Sequence, residues 1–327
     1  MKSIEEILAY TLDRPLSEEA LAYEEEKIVS TGKKLGYKFS HNAMKKILSV
    51  HESFMPIIES GIISLLKKNE KNKPDYYVFA RDGELIFDAL MGVSFENKEF
   101  NKRIFYLKTS TGVKLEDEVS KGMNKYLKEI GITQERFTNG PLMIFLDSGF
   151  IGSLFHKVGS WANYGGKKLP NKNQKGYLVS KSFESKFNQI NLINSLEEDR
   201  KKFNIAISNS PYKKYKKEND YNLNFESCSF MQLMPKFTGR YVTPYQTEEG
   251  RWDVLPEINP KLKSNLNLIR DSRQDSACNQ KSRIIKDVDY INEDIVNPIA
   301  SMFLQRRTLI YFSDQKIQEK IYKKANL

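Results

Sequence analysis

Apolar residues recur along this chain in two different periods. Over residues 41–68, Ala43, Ile47, Leu48, Phe54, Ile57, Ile58, Ile62 and Leu65 fall on helical spacing, which aligns them on one face of an α-helix. Pro56 and Gly61 lie inside that span and predict a kink or a division. Ser17, followed by Glu18 and Glu19, reads as a cap and first turn, so residues 1–70 read as helical. Residues 67–75 form a charged turn containing Pro74.

From Asp75 the texture changes. Tyr76-Tyr77-Val78-Phe79-Ala80, Ile104-Phe105-Tyr106-Leu107, Leu142-Met143-Ile144-Phe145-Leu146 and Gly176-Tyr177-Leu178-Val179-Ser180 are short, mostly apolar runs. Such continuous runs predict strands buried on both faces. Residues 84–91, 116–130 and 154–158, between the runs, return to helical spacing. Strand, polar loop and helix in repetition predict an α/β fold around a Rossmann-like parallel sheet. The expected organisation is a helical N-terminal region over 1–74, an α/β core over 75–186, and a mixed, then helical, C-terminal extension over 187–327. Within the extension, 192–203 and 287–324 read as helices, with a break or kink at Pro298. Residues 203–208 read as a strand and 240–256 as irregular or short-stranded.

Composition narrows the class. The charged fraction of 29 % and hydrophobic fraction of 39 % are those of a folded chain of 327 residues. Two cysteines, Cys228 and Cys278, exclude a disulfide scaffold and a four-thiolate zinc site, and fit a reducing, cytoplasmic setting. The first ten residues carry Glu5 and Glu6 and no long apolar core, so no secretory signal is expected. No apolar run is long enough to cross a membrane. The net charge of +10 points to an anionic partner, phosphorylated or nucleic acid, or else to a solvated lysine-rich surface.

Each of the first three apolar runs ends in a cluster of small, polar and charged residues. In parallel sheets, ligands bind at the carboxyl ends of the strands. Asp147-Ser148-Gly149-Phe150-Ile151-Gly152-Ser153 places a carboxylate, two glycines and the start of a helix in one turn. That combination can hold a phosphate on backbone N–H groups, with Asp147 accepting sugar hydroxyls. Arg81-Asp82-Gly83 supplies a cation and a carboxylate for a pyrophosphate. Lys108-Thr109-Ser110-Thr111 supplies one cation and three hydroxyls. Tyr212-Lys213-Lys214-Tyr215-Lys216-Lys217 interleaves rings and cations, a pattern that tracks phosphates and stacks bases, or that forms a solvated loop. His41, His51 and His156 lack metal-ligand spacing and read as structural or exposed.

These motifs, in order, resemble a divergent type I phosphoribosyltransferase over residues 75–181. Tyr77-Val78-Phe79-Ala80-Arg81-Asp82-Gly83-Glu84-Leu85-Ile86-Phe87 is similar to the family's first strand, pyrophosphate loop and helix. Leu107-Lys108-Thr109-Ser110 is similar to its second strand end, and Phe145-Leu146-Asp147 with the glycine turn to its signature strand and 5′-phosphate loop. Leu178-Val179-Ser180-Lys181 is similar to the strand that approaches the nucleobase. The family clasps the ribose with two adjacent acidic residues. Here Ser148 takes the second place, and Gly152-Ser153 replaces a Thr-Gly pair.

The resemblance implies a phosphoribosyltransferase-type sheet and a transferase moving a glycosyl group from a phosphorylated ribose donor. Arg81, Asp82 and Gly83 would form the pyrophosphate loop, Lys108 and Ser110 would meet the pyrophosphate, and Asp147 would orient the ribose. Gly149, Gly152 and Ser153 would cradle the 5′-phosphate, Lys181 would contact the acceptor, and Mg²⁺ would bridge pyrophosphate and ribose. Divergent members of this group occur as phage-defence effectors. The Ala-Arg-Asp-Gly and Asp-x-Gly-x-x-Gly-Ser pairing also resembles a domain that accompanies haloacid-dehalogenase-type phosphatases in polysaccharide loci. Two other readings stand beside the transferase. One is a nucleotide- or nucleic-acid-binding module that has lost its chemistry, as Ser148 favours. The other is a phosphohydrolase, although Ala80 stands where its nucleophile belongs.

Overall fold

The computed structural model describes residues 41–80, 83–109, 117–147, 153–162, 173–178, 188–189, 197–208, 241–256 and 298–327. Helix α1 (His41–Asn69) leads through a short 3-10 turn into β1 (Asp75–Phe79). Then follow α2 (Glu84–Val93), α3 (Lys98–Asn101), β2 (Ile104–Leu107), α4 (Asp117–Glu129), α5 (Gln134–Asn139), β3 (Met143–Asp147), α6 (Ser153–Trp161) and β4 (Gln174–Leu178). The remaining elements are β5 (Asn188–Gln189), α7 (Glu197–Ser208), β6 (Tyr241–Gln246), β7 (Trp252–Pro256), α8 (Pro298–Ser313) and α9 (Gln315–Ala325).

The strands form one sheet of order β2-β1-β3-β4-β5, every pair parallel, and a separate antiparallel pair, β6-β7. The chain is therefore α/β and Rossmann-like, as the alternating runs predict. Strand alternation divides the core into two layers. Tyr76, Val78, Ile144, Leu146 and Tyr177 face one way, with buried residues of α1, α2, α7, α8 and α9. Tyr77, Phe79, Met143, Phe145 and Leu178 face the other, with α4, α5, α6 and Val254 of β7. On that second face Tyr77 stacks between Phe105 at 4.9 Å and Phe145 at 5.3 Å, the residues opposite it on β2 and β3. This aromatic ladder ties the three strands by their side chains as well as their backbone.

The amino-terminal edge of the sheet is closed by ion pairs. Arg136 of α5 pairs with Asp75, and Arg103 pairs with Glu70 while donating to the Pro74 carbonyl at 2.7 Å. Tyr76 donates its hydroxyl to Glu70 at 3.0 Å. At the far side of the first layer, α8 crosses α2 at Gly92. A Cβ there would lie 2.6 Å from Phe312 Cβ and 2.7 Å from the Leu309 carbonyl oxygen, so only glycine allows the crossing. Gln318 and Tyr322 of α9 donate to the Gly92 and Val93 carbonyls, each at 2.8 Å. The Gly92 carbonyl also accepts the Phe95 N–H at 3.1 Å, and Tyr322 supplies the Val93 carbonyl at the helix end with a donor.

Several expectations are corrected. Helix α1 runs unbroken through Pro56. Its buried face, including Phe54, Ile57, Ile58 and Ile62, is packed against the sheet and the C-terminal helices, and that burial outweighs the lost backbone bond. Residues 203–208 are the last turns of α7, not a strand, and Phe203 is buried 5.2 Å from Phe54. Pro298 is the first described residue of α8, and residues 287–297, also read as helical, lie outside the described residues. Apart from these corrections, the described parts of the 187–327 extension pack on the sheet's two layers: α8 and α9 on one, and β7 on the other. Among the described residues, no helix is long and apolar enough to cross a membrane.

His51 of α1 is buried against α8. The Thr308 hydroxyl donates to the Leu304 carbonyl at 2.9 Å, so His51 Nε2, 2.8 Å from that hydroxyl, must carry its hydrogen. Burial, with Arg307 nearby, lowers the imidazole pKa from 6.5 to about 3. The unfolded chain therefore binds the proton first as pH falls, and stability is lost below about pH 6.5. Between pH 7 and pH 5 the loss should reach about 2 kcal/mol. Urea unfolding at the two pH values checks this, and His51→Gln should remove most of the difference.

Candidate functional site

Winding direction reverses at β1. The chain moves from β1 to β2 over one face, carrying α2, then returns from β2 to β3 over the other, carrying α4. Right-handed crossovers in opposite directions place their helices on opposite faces. They leave a crevice between β1 and β3 at the carboxyl ends of the strands, the usual ligand position in such sheets.

Four predicted site residues are described there. Asp147 is the last residue of β3, the central strand, paired across to Leu178 and 9 % exposed. Lys108 follows β2 directly, and Gly83 caps α2. Ser153 opens α6, separated from Asp147 by residues 148–152. Parallel pairing puts Asp147 and Lys108 on the same sheet edge with β1 between them. Arg81, Asp82, Ser110, Gly149, Gly152 and Lys181 lie outside the described residues, as do Tyr212, Lys213, Lys214, Tyr215, Lys216 and Lys217. His156 sits on the exposed side of α6.

Lys108 is not a bare cation. Its Nζ donates to both oxygens of Asp253 on β7, at 3.0 and 2.8 Å. The pair is mostly shielded, with side-chain exposures of 11 % and 25 %. Its backbone N–H donates to the Tyr126 hydroxyl of α4 at 2.8 Å. Burial raises the Tyr126 pKa, the Lys108 N–H lowers it, and Asp253 adds to the rise. Next along the chain, the buried Thr109 hydroxyl finds no hydrogen-bond partner among the described residues. Asp253 was invisible to motif reading because it lies 145 residues from Lys108 in the chain.

A second acidic group stands at the start of α2. Glu84 is buried in the first helical turn, where the helix dipole favours a carboxylate. Tyr106 donates to one of its oxygens at 2.8 Å and Gln305 of α8 to the other at 2.5 Å. Part of the positive end of α2 is thus used within the chain. Asp88, one turn further on, is also buried. Among the described residues, no group of three or more His, Cys, Asp or Glu side chains gathers as a metal site. Asp147 contributes a single carboxylate, which suits a Mg²⁺ held chiefly by the phosphates of a ligand.

Comparisons with protein families, with curated proteins and with solved structures return no match for this chain.

Gly83 is required here by space, not by dihedral angle. Its φ of −91° suits any residue, but a Cβ would lie 2.5 Å from the Phe79 carbonyl oxygen and 2.9 Å from Val78 Cγ1. Backbone cannot yield there without moving α2 away from β1. Gly83→Ala should therefore destabilise the chain by about 1–3 kcal/mol, read from the denaturant midpoint. An unchanged midpoint would mean that the β1–α2 turn is not held closely.

Proposed function

We propose that this chain is a phosphoribosyltransferase-like enzyme that binds a phosphorylated ribose donor at the carboxyl edge of its sheet and transfers the glycosyl group. The observation that carries the reading is Asp147 at the end of the central parallel strand, on the crevice where the winding reverses, with Lys108 on the same edge. In this reading Asp147 orients the ribose hydroxyls. Gly83 lets the turn after β1 approach a pyrophosphate, and Ser153 with the start of α6 faces the 5′-phosphate. Mg²⁺, when bound with the ligand, offsets the charge that develops on the leaving pyrophosphate. The protein's contribution is then to position donor and acceptor and to keep the reacting centre away from bulk water. The setting expected for such an enzyme is antiviral defence or surface-polysaccharide synthesis.

Two observations favour a second reading, a nucleotide-binding module without turnover. Lys108 is neutralised by Asp253, and Glu84 occupies the first turn of α2. Both reduce the positive potential available to a pyrophosphate.

A thermal-shift series with phosphoribosyl diphosphate, nucleotides and NAD, with and without Mg²⁺, tests both. A ligand at 100-fold its Kd adds about 2.7 kcal/mol to stability. The transferase reading expects the largest shift with phosphoribosyl diphosphate and Mg²⁺, accompanied by pyrophosphate release when acceptors are screened. Asp147→Asn should keep the fold but lower turnover roughly 30- to 1000-fold, the effect of losing one transition-state contact of ~2–4 kcal/mol. A shift with nucleotides and no pyrophosphate release favours the binding module. The absence of any shift with phosphorylated ribose or nucleotides removes both readings.

A further inference from the structure

The Lys108–Asp253 pair joins the predicted site to an element with no place in the sheet. Among the described residues, strands β6 and β7 pair only with each other, so the hairpin can move without breaking the five-stranded sheet. A two-stranded hairpin is marginally stable by itself, and its position depends on what it docks against. Here that is α4. Pro244 packs on Gly122, Trp252 lies 4.6 Å from Lys125 Nζ in a cation–π contact, and Val254 enters the core. Asp253, between Trp252 and Val254, reaches Lys108 with both oxygens.

We propose that Asp253 is an internal competitor for the small phosphate anion that Lys108 takes, so that anion binding at the strand ends and docking of the hairpin against Lys108 exclude one another. The proposal rests on the reading of this edge as a phosphate site. A carboxylate with two oxygens on one ammonium occupies the place of two phosphate oxygens. The ammonium is the more shielded partner, at 11 % exposure against 25 %, so an arriving anion must displace the carboxylate. The exchange leaves Asp253 a partner, because its Oδ1 also accepts the Val254 N–H at 2.7 Å. Binding the anion would then release the hairpin, a local change that reports the filled site. A fixed tertiary ion pair is the simpler alternative, and the two differ in sign when Asp253 is neutralised.

Inorganic pyrophosphate is titrated calorimetrically, without Mg²⁺, into the full chain, Asp253→Asn and Lys108→Gln/Asp253→Asn, with folding checked by circular dichroism. Asp253→Asn should bind about ten-fold more tightly, within the 5- to 150-fold range of ordinary coupling between sites. The double variant should lose that gain. In the unmodified chain, pyrophosphate should red-shift tryptophan emission as Trp252 leaves Lys125, while buried Trp161 stays constant. These are the two tryptophans of the sequence. Equal or weaker binding by folded Asp253→Asn overturns the proposal and makes Asp253 a positioning residue for Lys108. If that variant does not fold, saturable binding to the unmodified chain with unchanged emission overturns it. Binding by the unmodified chain with no gain on neutralising Asp253 refutes the competitor alone. No pyrophosphate binding by any folded chain refutes the phosphate site with it.

Discussion

The reversal of winding at β1 is the constraint on which the rest of the structure depends. Both crossovers from this region run over the sheet, one toward β2 on the face that carries α2 and one back toward β3 on the face that carries α4. Helices must then cover both faces, and β1 and β3 are buried on both sides. Their sequences answer that demand: Tyr76 and Val78 fill one layer, while Tyr77 and Phe79 fill the other. The same reversal opens the crevice at the strand ends, so the place for chemistry follows from the topology before any particular side chain is considered.

The two edges of the sheet use charge differently. At the amino-terminal edge, Arg136 with Asp75 and Arg103 with Glu70 tie loops and helices to the strand starts. These groups are largely shielded, and losing either partner would strand a charge in a poorly solvated place. At the carboxyl edge, Lys108 is answered by a carboxylate from a hairpin outside the sheet, and Glu84 is answered by neutral donors. The first arrangement holds the scaffold. In the second, the cation and the carboxylate at the strand ends are met by groups brought from distant parts of the same chain.

Coverage of the first face depends on chain far from the strands. Helices α8 and α9 pack on α2 through Gly92 and supply side-chain donors to its last carbonyls. Gln305 from α8 also holds Glu84 at the other end of α2. The position of α2, and with it the turn at Gly83, therefore depends on the last described segment of the chain. Residues 298–327 are part of the scaffold of the candidate site.

Local pattern was enough for much of this. Four strands, the helices between them and α1 were legible because a strand buried on both faces is a continuous apolar run, and a half-buried helix shows a period of 3.6. Asp147, Lys108 and Gly83 were legible as residues at strand ends because parallel strands put their carboxyl ends on one edge. The short helices α3 and α5 carry too few residues to show a period. The strand expected at 203–208 failed because a short apolar stretch reads alike as strand or helix end, and Phe203 is settled only by meeting Phe54 of α1. Asp253 on Lys108, His51 on Thr308 and Gln305 on Glu84 leave no periodic trace, since each joins positions more than a hundred residues apart. By itself the sequence determined which segments must be buried and in what regular form. Only the tertiary structure decided which charges meet, because an ion pair or hydrogen bond depends on distances in space that no spacing along the chain encodes.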